Sequence, residues 1–359
     1  MLNHFIRDSE IRFRNAFDIL EQAIEERAFP GASVAIVYRG EIALAGLGRQ
    51  RFNPESPGIT PFTVFDLASV SKAVATTTAA AILYERGKLD LDRTVPSRPD
   101  LTIRSLLTHT SGLPAYVKLF EQTRDRTRLL ELAYATPLEA PPGTRTEYSD
   151  IGFIILGDVL EKIAGETFNQ FCQREIFDQL NLRQTRFCPP PDWRSRCVPT
   201  RHDDYFRHKV IQGEVNDENC WVMNGVAGHA GVFSSAADVS EFVQIWMGSQ
   251  LNESSVSLLK PETVALFTRQ QPGTTRALGW DRPTSPSSSG QYFSPESYGH
   301  LGFTGTSLWI DPSRELAIVL LTNRTWPDAK NQAIKQVRPR FHDAVVEALS
   351  KPFNADERG

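Results

Sequence analysis

The sequence predicts an α+β fold: one antiparallel sheet built from both chain ends, flanked by helices, with a mainly helical region inserted between the two contributions. Three observations lead there. Near the N-terminus, "ASVAIVYRGEIALAGLG" holds two β-branched and apolar runs that meet at Arg39-Gly40, where glycine is free to take positive φ, which is a hairpin signature. Near the C-terminus, "SLWIDPSRELAIVLLTN" repeats the pattern around Asp311-Pro312-Ser313-Arg314. From Ala79 to Thr275, by contrast, helix and loop signals dominate.

Each element follows in order. From Asp8 to Arg27 the residues Ile11, Phe13, Phe17, Leu20 and Ile24 recur mostly at helical intervals with charges between them, as in an amphipathic helix. Past the first hairpin, "VFDLASVSKAVATTTAAA" reads as a short buried strand, then a helix from Ser69 that ends at Arg86-Gly87, glycine being favoured just past a helix end. Its alanines and threonines lie all round, so it is expected to be packed on every side. The serine- and proline-rich loop Arg282 to Ser297 reads as mobile but too short to link independent domains. A final helix is expected from Lys330 to Ser350. The organisation is thus residues 8–78 with 276–350 as the sheet region, 79–275 as the inserted helical region and 351–359 as a disordered tail.

Composition removes several function classes. With 40% hydrophobic and 23% charged residues the chain is neither disordered nor membrane-like, and no apolar run nears the roughly 20 residues of a spanning helix. "MLNHFIRDSEIRFRN" mixes both charge signs without a signal-peptide core, so a cytoplasmic location is expected. A net charge of −4 lacks the basic surplus that nucleic-acid binding needs. The four cysteines, Cys172, Cys188, Cys197 and Cys220, form no C-x-x-C pair and read as reduced packing residues. There is no H-E-x-x-H, Walker loop, G-x-G-x-x-G or G-x-S-x-G, so neither metal nor cofactor is expected and the α/β-hydrolase arrangement has no serine. His202 and His208 with Asp203 and Asp204 lack ligand spacing and read as an exposed polar loop. The acidic run Glu214 to Trp221 reads as a solvated loop at a cleft edge, and His229 as a packing or substrate-contact residue.

Ser69 and Lys72 stand at i and i+3, where side chains on a helix meet. A helix N-terminus favours a developing oxyanion and depresses a nearby ammonium, and a desolvated lysine can then take the serine proton. Ser257-Leu-Leu-Lys260 repeats the spacing, but Pro261 biases Lys260 away from helix, and this copy reads as surface.

Three segments in order, Ser69-Val-Ser-Lys72, Tyr148-Ser149-Asp150 and His300-Leu301-Gly302 before "FTGTSLWIDP", resemble the signature of serine β-lactamase-like hydrolases. That superfamily contains class C β-lactamases, penicillin-binding D-alanyl-D-alanine carboxypeptidases and related esterases. "LTIRSLLTHTSGLP" and "GVAGHAGVFSSAADVSEF" extend the resemblance, which spans Phe29 to Asn323. It implies a β-lactamase/transpeptidase-like fold and an acyl-enzyme on Ser69, with Lys72 and Tyr148 sharing general-base and shuttle duties and either one serving as the base. It places the oxyanion hole at the backbone N–H groups of Ser69 and Phe303, and substrate contacts at Asp150, His300 and Gly302. It gives His109 no catalytic role.

Two departures shape the expected function. Asp150 stands where the family commonly has asparagine. Either it lies beside Lys72, raising its pKa and shifting proton acceptance toward Tyr148, or it points away and caps the following helix. His300 and Leu301 replace a lysine and a threonine, which weakens recognition of a penicillin or D-alanine carboxylate, while Gly302 suits close approach of substrate to the strand. The expected function is a metal-independent serine hydrolase acting on carboxylic esters or small amides. A β-lactamase or D-Ala-D-Ala carboxypeptidase is the second reading, and a catalytically silent binding protein is the third. The expected partner is a small ester, amide or lactam, and the oligomeric state is left open.

Overall fold

The computed structural model describes residues 11–248 and 258–350, so the first residues of the expected N-terminal helix, Ser257 and the tail 351–359 lie outside the described residues. The strands are β1 (Gly31–Tyr38), β2 (Glu41–Gly48), β3 (Phe65–Asp66), β4 (Thr94–Val95), β5 (Arg98–Thr102), β6 (Arg186–Phe187), β7 (Pro199–Asp203), β8 (Lys209–Gln212), β9 (Val232–Ser234), β10 (Tyr298–Leu301), β11 (Ser307–Asp311) and β12 (Leu316–Thr322). The main sheet runs β10-β11-β12-β1-β2, antiparallel throughout, so the two chain ends meet where β1 pairs with β12, Ala35 opposite Val319. Arg39 (φ 52°) and Gly40 (φ 80°) are both left-handed, as a two-residue hairpin turn between right-twisted strands requires.

Strand periodicity sorts the core into two bodies. Ala32, Val34 and Ile36 of β1, with Leu316, Ile318 and Leu320 of β12, face the terminal helices Arg14–Glu25 and Ile334–Ser350, meeting Phe17, Leu20, Val337 and Phe341. Ala35 and Val37, with Ala317, Val319 and Leu321, face the rest of the molecule. Both faces are covered, which is why these strands are apolar almost throughout.

The segment from Ser69 departs from a regular helix. It opens as a 3₁₀ turn (Ala68–Val70), widens to a π turn (Lys72–Thr77) and becomes α-helical only over Thr78–Glu85. Wide turns of this kind are frequent at functional sites. The segment is buried on all sides, with Ala73, Ala75, Thr76, Thr77, Ala79 and Ala80 fully enclosed. Between the sheet contributions lie the helices Asp150–Ala164 and Ala236–Trp246, but also the short strands β4 to β9. These strands escape sequence patterning because they are two to five residues long and are fixed by tertiary pairing, as where β3 and β6 flank β9.

Three other expectations are corrected. The loop 282–297 is tied down: the Ser294 amide and hydroxyl donate to Asp311 and the Gln291 amide donates to Asp343. The run 214–221 is largely buried rather than solvated, because its acids find partners: Glu214 with Lys209, Glu218 with Arg201, and Asp217 with His229. Of the four free cysteines, Cys188 is exposed rather than packed.

Candidate active site

The site begins at a strained turn. Ala68 is held at φ 47°, a conformation costly for a residue with a Cβ, so the turn must be fixed by its surroundings. The Asp66 carboxylate accepts from the Ala68 amide (2.8 Å) and the Asn216 amide (2.6 Å), while Thr304 and Thr306 donate to the carbonyls of Asp66 and Leu67 (2.8 Å each). Burial pushes Asp66 up to about 6 despite those donors. The two threonines belong to the turn between β10 and β11, which is thereby stapled to the Ser69 turn. A Cβ on Gly302 would strike the Leu67 carbonyl and the Thr306 hydroxyl, so this closure demands the glycine, a nearer cause than substrate approach.

Ser69 is half-buried at the floor of a cleft of about 490 Å³, which is also lined by Tyr148, Asp150, His300, Gly302 and Phe303. Each of the three motifs therefore contributes residues to one cavity. Ser71, the other serine of the motif, is fully buried and accepts from the Val232 amide (3.0 Å), a purely structural task.

Lys72 is completely buried and three acceptors surround its ammonium: Ser69 Oγ at 3.1 Å, Asp150 Oδ1 at 2.6 Å and the His229 carbonyl at 3.1 Å. Burial pushes its pKa down, but the Asp150 carboxylate and then Tyr148 more than offset this and hold it above the usual lysine value. Of the two placements open for Asp150, the structure shows the one beside Lys72. The cap of the following helix is Ser149, whose hydroxyl accepts from the Gly152 amide. The depressed ammonium expected from the helix terminus is thus overridden by a specific ion pair.

The Tyr148 ring lies 4.7 Å from Lys72 Nζ. Its hydroxyl is buried without a well-formed hydrogen bond. Burial raises its pKa, and the nearby Lys72 charge works against that rise. His109, which the sequence left without a role, positions this tyrosine. Its ring packs at a tilt against Tyr148, centroids 4.6 Å apart, and its Nδ1 accepts from the Ser149 amide (3.0 Å), so the proton sits on Nε2. Burial, Arg276 and Lys72 hold His109 well below the usual histidine range, which keeps it neutral.

His300 is buried, with Nδ1 2.9 Å from the Leu301 carbonyl and Nε2 unpartnered. Burial, helped by Lys72 and Arg276, lowers its pKa well below normal, so it offers the cleft a neutral acceptor and no cation. Phe303 is 51% exposed at the rim. Its N–H makes none of the turn's internal bonds, and the Ser69 N–H, in a first helical turn, has no intrahelical partner.

Sequence reasoning missed three supports of the site. Asp217 accepts from His229 Nε2 (2.8 Å) and from the Cys220 amide, and so fixes the residue whose carbonyl holds Lys72. Gly228 and Gly157 allow this segment to sit directly on the helix Asp150–Ala164, since a Cβ on either would strike the other's backbone. Only the acidic run and the repeated glycines signalled these contacts. Likewise Arg276, over the Tyr148 ring at 5.7 Å and paired with Asp281 at 3.1 Å, carries no motif.

Comparison with known proteins settles the family. The Beta-lactamase family model matches residues 17–338. The chain belongs to the Beta-lactamase family. It is 32% identical to an N-acetylmuramyl-L-alanine amidase of Bacillus subtilis (strain 168), over 87% of this chain and 81% of that protein. It is 34% identical to a putative D-alanyl-D-alanine carboxypeptidase of Salmonella agona (strain SL483), over 77% of this chain and 72% of that protein. Among solved structures, a class C beta lactamase matches with a TM-score of 0.75 at 20% identity, covering 96% of this chain and 99% of the other, a likeness of fold. The protein is a β-lactamase-family serine hydrolase with the α+β β-lactamase/transpeptidase fold.

Proposed function

We propose that the protein hydrolyses carboxylic esters or small amides through an acyl-enzyme on Ser69. The observation that carries this reading is the 3.1 Å contact of Lys72 with Ser69 Oγ at the floor of an open cleft, under the Tyr148 ring. Ser69 Oγ bonds to the substrate carbonyl carbon, and the carbonyl electron pair moves to oxygen between the Ser69 and Phe303 N–H groups. Because Asp150 holds Lys72 as an ammonium, the serine proton passes to Tyr148 in the fraction of molecules whose phenol is ionised, a fraction that burial keeps small, that the Lys72 charge enlarges and that grows with pH. Collapse expels the alcohol or amine, which takes that proton, and water then repeats the sequence to release the acid. His300, neutral and accepting, is suited to a substrate N–H and unsuited to a carboxylate, and the 32% identical amidase supports the amide branch.

The test incubates wild type and Ser69→Ala with an activated ester, an N-acyl amino-acid amide, a chromogenic cephalosporin and a D-Ala-D-Ala peptide, following turnover and intact mass. Ser69-dependent ester or amide turnover, lost at least about a thousandfold in Ser69→Ala, is expected. Efficient lactam or D-Ala-D-Ala hydrolysis, or a persistent penicilloyl adduct, would replace this reading, and silence with every probe would sink it.

A further inference from the structure

We propose that Arg324 and Arg338 form an anion subsite in the Ser69 cleft, which takes a carboxylate carried by the substrate away from its scissile bond. The proposal deepens the hydrolase reading and rests on it for the identity of the bound molecule as substrate.

Both arginines line the same cleft as Ser69, and both are buried: Arg338 is 4% exposed and Arg324 is 7% exposed. Arg338 stands on the helix Ile334–Ser350. Its Nη2 makes one long bond to the Thr306 carbonyl (3.4 Å), and its Nε is buried with no partner. Arg324 follows β12. Its Nε donates to the Phe303 carbonyl (2.9 Å) and its Nη1 to the carbonyls of Ala329 and Asn331 (3.1 Å each), and none of these bonds uses Nη2.

Charge accounting separates these two from the other enclosed cations at the cleft, Lys335 being exposed at its mouth. Lys72 has Asp150 at 2.6 Å and Arg276 has Asp281 at 3.1 Å. Among the described residues no carboxylate acts on Arg324 or Arg338. Burial lowers the pKa of both, and the Arg324 charge adds to the lowering of Arg338, which falls to about 10. Two adjacent guanidiniums held out of water without a counter-ion are destabilising on their own. Bracing the 303–306 turn does not account for them, since accepting carbonyls ask only for N–H donors and a neutral amide would supply them. What the pair uniquely offers is positive charge with unused N–H groups.

The remaining donors favour a carboxylate over a phosphate. Arg324 Nη2 and Arg338 Nη1, which no bond among the described residues uses, leave two N–H-bearing nitrogens, which suits two oxygens sharing one negative charge. His300 supplies no competing cation, and the exposed ring of Phe303, 4.7 Å from the Arg324 guanidinium, forms an apolar surface at the rim beside it. A substrate with a short aliphatic spacer between its carbonyl and its carboxylate fits this order of groups.

Two measurements test the subsite. The first compares aryl esters that carry a free or a methyl-capped carboxylate, as in 4-nitrophenyl adipate and its methyl-capped counterpart, with further pairs placing the carboxylate on the leaving group. The free acid is expected to win in kcat/KM by on the order of tenfold to a hundredfold for one placement. That ratio should collapse toward unity in Arg338→Met and Arg324→Gln. The second titrates adipate and inorganic phosphate into Ser69→Ala protein by calorimetry, which needs no turnover. Adipate binding that is lost when Arg338→Met is added supports the subsite, even where no probe is hydrolysed and the hydrolase reading falls.

Arg338→Met is expected to fold with a raised Tm, since it removes an uncompensated buried charge. Should it fail to fold, Arg338→Lys, which keeps the charge but not the fork, is expected to lose most of the preference. Turnover without carboxylate preference and without adipate binding overturns the subsite and leaves the hydrolase standing. Tighter binding of phosphate than adipate overturns the carboxylate assignment, and a preference that survives Arg338→Met with a lowered Tm leaves Arg338 a structural residue only.

Discussion

The floor and the wall of the cleft bury positive charge in opposite ways. On the floor, Lys72 is enclosed by a carboxylate, a serine hydroxyl and a carbonyl, and its charge is matched within the protein. On the wall, Arg338 and Arg324 are nearly as buried but meet backbone carbonyls and each other. Matching a charge internally fixes a protonation state, which is what a proton-transfer site needs. Leaving a charge unmatched keeps an electrostatic preference available for an incoming group, which is what a binding wall needs.

The comparison breaks most severely if the floor loses its anion. Asp150→Asn leaves a buried ammonium, which should cost about 3–5 kcal/mol at neutral pH before Lys72 sheds its proton. The sign of the pH dependence follows. The Lys72 pKa is raised in the folded wild type, so its stabilising pair is fully present below the usual lysine value and lost as pH rises through the higher folded value. In Asp150→Asn burial is left as the main influence and pulls Lys72 below the usual lysine value, so the deficit should shrink as pH rises. Tm recorded against pH for both proteins checks this. In the same variant Tyr148 loses the Asp150 charge that raises its pKa and, once Lys72 is neutral, the larger Lys72 influence that lowers it, so the alkaline limb of kcat should move to higher pH, while a move to lower pH would make Lys72 the acceptor. A limb that stays in place would separate Asp150 from the proton acceptor.

A smaller effect is expected one step away from the floor. Asp217→Asn loosens His229, and through its carbonyl Lys72, without touching the cleft wall. A fall in kcat on the order of tenfold with KM little changed is expected, as for other outer-shell partners. Equal change in both constants would mean that Asp217 shapes binding instead. In wild type, burial pushes the Asp217 pKa up, but His229, the Cys220 amide and Lys72 together hold it below the usual aspartate value, so the stability this carboxylate contributes is lost as pH falls below the usual aspartate range.

The mildest change sharpens the wall. Lys335 is exposed at the mouth of the same cleft, where solvent and salt screen it. Lys335→Gln should alter kcat/KM for a carboxylate substrate by only about twofold, and the difference should vanish as ionic strength rises. An effect as large as that of Arg338→Met would show that long-range attraction, rather than a built subsite, selects the anion.

Much of this was legible beforehand for physical reasons that act locally. Arg39-Gly40 declared its hairpin because few residues accept two successive left-handed conformations, and β1 with β12 declared themselves by unbroken apolar runs. Ser69, Lys72, Tyr148 and His300 stood out because their spacing and order resemble a known signature; Ser69, Tyr148 and His300 line one cleft, with Lys72 buried beside Ser69. The π turn at Lys72 was not legible, since alanine and threonine suit an ordinary helix equally well and the widening is imposed by the packed surroundings. The anchoring of the 282–297 loop was hidden for a similar reason: serine and proline encode turns, while Asp311 and Asp343, which hold it, come from elsewhere in the chain.

What the sequence alone determined is the sheet built from both ends, the buried helix behind Ser69 and which side chains are candidates for the chemistry, because backbone propensity, hydrophobic period and motif order are properties of short stretches. What only the tertiary structure decided is the protonation chemistry: that Asp150 faces Lys72 instead of capping its helix, that His300 and His109 are neutral, and that two arginines on the wall go without a carboxylate. Charge states depend on burial and on neighbours within a few ångströms, and those neighbours, such as Lys72 and Asp150 at a separation of 78 residues, are brought together only by the fold.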